Sequence, residues 1–184
     1  METVQRITGW SPGSVEHSVI RVVEEGIEME GVVLGGSLEE PFAIRYAVMA
    51  YPDGRCRGVT ARAIGEPILV ELLADGSGGW TDDDGVLIRG LDSALDVDLG
   101  ITPVAHALTI YRLALAIGES AEVSVARIDV LGGEIRFDAR RFTRLGENHY
   151  GVHDLESGVS TELRCELSTW TIEILPRRQM PVTS

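Results

Sequence analysis

Hydrophobic and polar residues alternate with a period of two along most of the chain, which is the pattern of half-buried β-strands. The alternation is clearest at residues 27–31, 135–138 and 170–174. The same criteria predict further strands at 15–24, 42–51, 57–64, 67–74, 121–130, 149–155 and 159–167.

Glycine-containing turn signals separate nearly all of these strands, for example at Gly35-Gly36 and Gly132-Gly133. Glycine favours turns because it adopts positive φ angles without steric cost. Such regular spacing predicts an antiparallel meander that curls into a barrel or a two-layer sheet. The chain of 184 residues fits a single domain, with a loose tail from about residue 176.

The segment 102–117 supports two interpretations. Its apolar residues recur at helical spacing, and the Thr-Pro step at 102–103 is a helix start signal. The same residues also fit a short helical turn at 103–107 followed by a strand at 108–117. We favour the strand, because it contains β-forming residues in succession and Gly118 ends the run like a hairpin turn.

The acidic composition narrows the range of partners. The chain has 16 Lys and Arg against 29 Asp and Glu, a formal charge of −13, which disfavours nucleic acid and anionic membrane surfaces. It shows neither a signal peptide nor an apolar run of roughly 20 residues, so a cytoplasmic protein without membrane insertion is expected. Cys56 and Cys165 have no metal or redox spacing and are expected to be thiols in the core.

Residues 75–112 combine turn-forming glycines with several carboxylates. If residues 95–99 form a strand, the side chains of Asp96 and Asp98 share one face of it. These carboxylates, together with Asp92, can build turns and structural ion pairs with arginines, or they can form a polar site that binds sugar hydroxyls. The spacing does not match a calcium loop, so no metal ion or cofactor is expected.

The order of residues in this region carries a family resemblance. The matching residues are Asp75-Gly76-x-Gly78-x-Trp80, Leu91-Asp92, Asp96-Val97-Asp98-Leu99, Thr102-Pro103, Arg112-Leu113 and Arg141-Phe142-Thr143-Arg144-Leu145-Gly146. In this order the chain resembles the bacterial family described as putative glycolipid-binding, from about residue 22 to the C-terminus. The resemblance implies an all-β, mainly antiparallel split barrel with one or two short helices, similar to the periplasmic lipoprotein carriers. It also implies a hydrophobic or amphipathic ligand.

Two positions depart from the family pattern. Cys56 stands where family members tend to have a tryptophan, and His106 stands at or near a position that is usually an asparagine. A ligand that reached the second position would meet an imidazole instead of an amide. The ligand of this protein can therefore differ from that of its relatives.

The leading hypothesis is binding of an amphipathic small molecule, a glycolipid by resemblance, in a barrel cavity with a rim of Asp, Arg and His. Aromatic residues could form the floor of such a cavity, because sugars stack on aromatic rings. A homodimer is compatible with the sequence. The candidate ligand-binding residues are Arg57, Trp80, Asp92, Asp96, Asp98, Thr102, His106, Tyr111 and Arg112.

Two other classes of function stay open. An enzyme could use His106 with Asp96 or Asp98 as acid and base on a small polar substrate, because the pKa of histidine lies near neutrality. The sequence contains no nucleophile motif, so no catalytic residue is assigned. The third hypothesis is a structural or partner-binding β domain.

Overall fold

Two meandering sheets and one helix make up the computed structural model of the protein, which describes residues 1–8, 10, 13–65 and 69–175. The predicted loose tail from 176 and the start of the predicted strand 67–74 lie outside the described residues. The first sheet has seven antiparallel strands in chain order: β1 (Glu2–Thr8), β2 (Val15–Val23), β3 (Gly26–Gly36), β4 (Pro41–Ala50), β5 (Cys56–Ala63), β6 (Leu69–Ala74) and β7 (Trp80–Asp82).

The second sheet has six strands, and it also follows chain order. Its members are β8 (Asp96–Asp98), β9 (Ser120–Asp129), β10 (Glu134–Arg144), β11 (His149–Asp154), β12 (Ser160–Glu166) and β13 (Thr171–Ile174). Among the described strands only β8 runs parallel to its neighbour, β9, and α1 (Ala105–Leu113) makes the connection that a parallel pair requires.

The predicted all-β, mainly antiparallel class with one short helix is confirmed. Each strand predicted from alternation is present, with ends shifted by a few residues. The short strands β1 and β7 were not predicted. In β1 only Ile7 is buried, so its hydrophobic signal is weak. β7 has three residues, and it follows a turn in which the Asp75 carboxylate accepts hydrogen bonds from the backbone N–H groups of Ser77 (2.7 Å) and Gly79 (3.0 Å).

The core contains side chains from both sheets, packed as one cluster that includes Trp80, Tyr46, Phe142 and Leu163. The two cysteine thiols are buried and free, as predicted. Burial raises the pKa of both Cys56 and Cys165 to about 12, so both stay protonated at neutral pH.

The predicted strand at 108–117 is wrong, because these residues form most of helix α1, which ends at Leu113. Every residue from Ala105 to Ile110 is buried. Tertiary packing on both sides of the helix therefore overrides the β propensity of Thr109 and its neighbours. Ala114 ends the helix in the left-handed conformation, with φ 46°. Among the described residues, no helix is long and apolar enough to cross a membrane.

The start of α1 also differs from the prediction. The N-cap residue is Val104, and its side chain makes no capping hydrogen bond. The Thr102 hydroxyl instead accepts a hydrogen bond from the backbone N–H of Val104 (3.1 Å). This contact forms a turn before the helix and places His106 in its first turn.

A buried ion pair holds α1 against β8. The Arg112 guanidinium donates through Nε to Asp96 Oδ1 (3.2 Å) and through Nη2 to Asp96 Oδ2. The side chain of Asp96 is 2% exposed and that of Arg112 is 18% exposed, so water screens this pair weakly. Burial raises the pKa of the Asp96 carboxyl, and the hydrogen bonds from Arg112 lower it only in part.

A seam between β1 and β13 brings the first and last described strands together. Gln5 Oε1 accepts a hydrogen bond from the backbone N–H of Ile172 (3.0 Å), and the Thr3 hydroxyl donates to the carbonyl oxygen of Thr169. These contacts close one side of the molecule between the two sheets.

We expect the substitution Arg112→Met to lower the free energy of unfolding by about 3 kcal/mol, because it leaves the buried Asp96 carboxylate without a cation. Urea unfolding monitored by circular dichroism measures this loss. The loss should shrink as the pH falls, because burial raises the pKa of Asp96 and the protonated carboxyl leaves no buried charge.

The exposed Arg89 provides the matched control, since Arg89→Met should change stability by less than about 0.5 kcal/mol. In the double variant Arg112→Met/Asp96→Leu, part of the lost stability should return. A double variant that is no more stable than Arg112→Met alone would contradict this account of the ion pair.

Candidate functional site

A half-open cleft of about 610 Å³ lies where the second sheet meets the end of β1 and the start of α1. Its volume falls within the range of small-molecule sites, roughly 300–1,000 Å³. The lining residues combine charged, hydroxyl-bearing and aliphatic side chains: Thr8, Trp10, Asp98, Gly100, His106, Arg127, Arg140, Val152, Asp154, Ser157, Val159, Thr161, Glu162, Ile174 and Leu175.

Arg140 forms the floor of the cleft, and its side chain is only 4% exposed. Its Nη2 donates to Asp98 Oδ2 (3.0 Å), and its Nη1 lies 2.7 Å from Asp138 Oδ2 and 3.0 Å from Asp154 Oδ2. A buried guanidinium requires such carboxylates, because it cannot lose its proton at any physiological pH. We call Arg140 and its three carboxylates the Arg140 network.

Strand alternation explains how the sequence builds this network. Asp138, Arg140 and Phe142 follow one another at every second position of β10, so their side chains share the buried face. Arg141, which lies between Arg140 and Phe142, is exposed. Asp154 is the direct partner of Arg140 in the register of β10 and β11. Asp98 comes from the end of β8.

The ionisation states of the network follow from these contacts. Burial lowers the pKa of Arg140, but the carboxylates of Asp98 and Asp138 raise it by more than burial lowers it, so the net shift is upward. For Asp98, burial raises the pKa, whereas the neighbouring His106, the guanidinium of Arg140 and the N–H of Gly100 lower it, and the net shift is downward. Both groups therefore stay charged at neutral pH.

Arg127 extends the network towards solvent. Its Nη1 donates to Asp98 Oδ2 (3.3 Å), and its side chain is 31% exposed. Arg127 lies directly opposite Arg136 in the register of β9 and β10. Two like charges at such positions repel each other, and the contacts of Arg136 with Glu156 (3.3 Å) and Asp138 (3.9 Å) offset this repulsion.

His106 contributes an imidazole to the cleft from the first turn of α1. The ring makes edge contacts with Trp10 (5.4 Å between centroids) and Phe142 (5.7 Å). The Trp10 indole is fixed in turn, because its Nε1 donates to the carbonyl oxygen of Gly100 (2.8 Å). Burial is the largest effect on the pKa of His106 and lowers it, and the opposing charge of Asp98 does not reverse the shift. The imidazole is therefore neutral at pH 7.

The geometry required by the enzyme hypothesis is a hydrogen bond between His106 and Asp96 or Asp98. Neither contact occurs, and within the described ranges no side chain or backbone group hydrogen-bonds the imidazole. The described residues also contain no cluster of three or more His, Cys, Asp or Glu with metal-binding geometry. The carboxylates around Arg140 serve the guanidinium instead.

The cleft brings together two of the nine predicted site residues, Asp98 and His106. Thr102 is buried just before α1, and its hydroxyl partly offsets the rise that burial causes in the pKa of the Glu16 carboxyl. Asp96 and Arg112 form the anchor of α1 described above and do not line the cleft.

The other four predicted residues lie elsewhere. Trp80 is a core residue, with its Nε1 donating to the carbonyl oxygen of Ala94 (2.8 Å). The side chain of Asp92 is exposed, and Arg57 Nη2 contacts the sulfur of Met49 at 3.8 Å. Tyr111 packs against Trp170, with 5.1 Å between the ring centroids.

Sequence reasoning missed Trp10, Arg127, Arg140 and Asp154. For Arg140 a signal was present, since it and Asp138 occupy the same phase of alternation as the apolar Phe142 on β10, beyond the predicted strand at 135–138. Charged residues in a buried phase must pair with each other or bind something. Trp10 lies in a connection between strands, where alternation gives no information.

The comparisons with known proteins agree with the fold. The sequence model of the family described as "Putative glycolipid-binding" matches residues 8–169. A crystal structure of a DUF1089 family protein from Pseudomonas aeruginosa is similar to this chain, with 26% identity and a TM-score of 0.75. The match covers 91% of this chain and 95% of that one. No curated protein matches the chain.

The lowered pKa of His106 predicts a specific dependence of stability on pH. In the unfolded chain the imidazole takes up a proton at about pH 6.5, whereas the folded state resists protonation to lower pH. Stability should therefore fall as the pH decreases from about 7 to about 5. The expected size is up to about 1.4 kcal/mol for each unit by which the folded pKa lies below the unfolded one.

The matched variant is His106→Asn, which keeps a polar side chain but does not titrate in this range. Urea unfolding of both proteins at several pH values measures the difference. The gap in stability between them should change in favour of His106→Asn towards pH 5. Parallel curves for the two proteins would show that burial does not hold the imidazole neutral.

Proposed function

Because the chain belongs to the family described as putative glycolipid-binding, we propose that the cleft binds the polar headgroup of an amphipathic molecule such as a glycolipid. The observation that carries the proposal is that one cleft is lined both by charged side chains, here called its polar floor, and by aliphatic side chains, here called its apolar margin. Asp98, Arg127 and Arg140 belong to the polar floor, and Val159 and Leu175 belong to the apolar margin.

The polar floor suits a headgroup that carries hydroxyls. A hydroxyl both donates and accepts hydrogen bonds, so it pairs well with a surface that presents carboxylates beside guanidinium groups. Ser157 and Thr161 add hydroxyls of their own. Because the Arg140 network is already held by its internal contacts, these groups would keep their positions when a headgroup enters, which limits the entropic cost of binding.

An aromatic wall strengthens the match to sugars. Trp10 lines the cleft in an orientation fixed by its hydrogen bond to Gly100 and by its contact with His106. Rigid aromatic side chains provide apolar area for the C–H faces of a sugar ring at little cost in conformational entropy. The neutral imidazole beside it can act as donor or acceptor, depending on its tautomer.

The apolar margin accounts for the lipid part of the ligand. It consists of aliphatic side chains near the ends of β11, β12 and β13: Val152, Val159, Ile174 and Leu175. Each methylene buried there contributes roughly 0.8 kcal/mol, so four or five methylenes of an acyl chain would add about 3–4 kcal/mol. The space between the sheets is occupied by core side chains such as Ile20 and Leu163. The acyl chain would therefore leave across the margin of the cleft.

The first test is to identify the natural ligand. Protein purified from its own host under native conditions should carry an amphiphile, detected as an added mass in native mass spectrometry and identified after lipid extraction. A host protein that carries no amphiphile and also fails to bind added alkyl glycosides would contradict the proposal.

The second test locates binding in the cleft. We expect Trp10→Ala to weaken the binding of an alkyl glycoside at least about tenfold, or about 1.4 kcal/mol, because the aromatic wall is lost. Isothermal titration calorimetry with octyl β-glucoside below its micelle concentration measures the change.

The control is Phe137→Ala, which removes an exposed aromatic ring of β10 that does not line the cleft. Its affinity should stay within about twofold of that of the parent protein. Equal losses in the two variants, or none in either, would show that the glycoside does not bind beside Trp10.

A further inference from the structure

The charges that line the cleft are unequal. Among the described residues, three carboxylates line it, those of Asp98, Asp154 and Glu162, against the two guanidiniums of Arg127 and Arg140. Burial lowers the pKa of His106, so the imidazole adds no positive charge at neutral pH. The described part of the lining is therefore slightly negative, on a chain with a formal charge of −13.

The positive charge of the buried guanidinium is already compensated by carboxylates. Arg140 Nη1 lies between Asp138 (2.7 Å) and Asp154 (3.0 Å), and Nη2 donates to Asp98 (3.0 Å). A phosphate that approached Arg140 would have to displace one of these carboxylates or lie against it. Like charges at such distances repel strongly where water is partly excluded.

The guanidinium of Arg127 is more exposed to solvent than that of Arg140, with side chains that are 31% and 4% exposed. Its Nη1 is already 3.3 Å from Asp98 Oδ2, so an anion bound there would have a carboxylate as its neighbour. A sugar hydroxyl at the same place could accept from the guanidinium and donate to the carboxylate at once. The arrangement therefore favours a neutral, bifunctional group over an anion.

We infer that the cleft selects an uncharged, hydroxyl-rich headgroup and rejects headgroups that carry phosphate, sulfate or carboxylate. This inference rests on the proposed function and adds a chemical class to it. The ligand would be a neutral glycolipid rather than an acidic glycolipid or a phospholipid.

Calorimetry with two matched amphiphiles tests the selection: octyl β-glucoside and octyl β-glucoside 6-phosphate, both below their micelle concentrations. At low ionic strength the phosphate should bind at least about tenfold more weakly, a difference of about 1.4 kcal/mol. The ratio should decrease in about 0.5 M salt, because salt screens charge repulsion but not a steric clash. Equal or tighter binding of the phosphate would overturn the inference and leave the proposed function standing.

Two further outcomes separate the inference from the function it rests on. If neither amphiphile binds, the proposed function is wrong and the inference falls with it. Free glucose and glucose 6-phosphate distinguish a sugar site from a lipid site. If glucose binds as tightly as octyl β-glucoside, the ligand is a sugar, and the ratio of glucose to its phosphate then decides on charge selection.

A variant assigns the selection to the network. Asp154→Asn removes one carboxylate beside Arg140, so the ratio of neutral to anionic affinity should fall at least about threefold. The control Glu71→Gln makes the same change of charge on the exposed side of β6, away from the cleft, and should leave the ratio within about twofold. Equal shifts in both variants would attribute the preference to the net charge of the whole protein and overturn its assignment to the cleft.

Glu162→Gln provides a second variant in case Asp154→Asn lowers stability too far. Glu162 lines the cleft with a side chain that is 47% exposed and pairs with His149 at 2.7 Å. Its replacement should also reduce the ratio, by a smaller factor, because the group is better screened by water. If the ratio of neutral to anionic affinity stays unchanged in both Glu162→Gln and Asp154→Asn, the inference is overturned.

Discussion

The guanidinium of Arg140 is the constraint around which the second sheet is organised. It stays charged and is almost fully buried, so the fold must supply enough negative charge to hold it. Asp98, Asp138 and Asp154 supply this charge from β8, β10 and β11. A change of register in β10 or β11 by one residue would move Arg140 or Asp154 to the other face. The network therefore specifies how these strands pair.

The short strand β8 links this network to the helix. Asp98 at one end of β8 contacts Arg140 and Arg127, and Asp96 at the other end holds Arg112 of α1. Three residues thus determine the position of both the floor of the cleft and the helix that carries His106.

Alternation predicted most of the strands, because each is half-buried and its two faces differ in polarity. For α1 the apolar spacing was helical, and the preference for β propensity over that spacing gave the wrong strand. Ala105 to Ile110 are all buried, so a helix and a strand give the same run of buried residues. Of the two alternatives for the acidic segment, ion pairs with arginines occur at Asp96 and Asp98, whereas Asp92 is exposed. Which arginines these are depends on contacts distant in sequence, since Arg140 lies 42 residues after Asp98. Local patterns cannot provide that information.

The family resemblance and the structure answer different questions. The resemblance predicted a barrel-like, all-β class and the family. The similar crystal structure confirms the class, and the family match over residues 8–169 confirms the family. It placed the site among the residues that carry the motif, and the structure uses many of these residues for packing, such as Trp80 in the core and Arg112 on the helix. Residues that identify a family include those that build its fold, so they need not coincide with those that line a cleft.

The seam between β1 and β13 has a consequence for the order of folding. Its hydrogen bond between Gln5 and Ile172 spans 167 positions of sequence, one of the longest loops that the chain can close. Thr8 at the end of β1 and Ile174 on β13 both line the cleft, so the cleft is complete only when the seam has closed. A ligand in the cleft would bind the fully closed molecule and not its partly folded forms. Ligand binding would thus stabilise only those molecules in which β13 contacts β1.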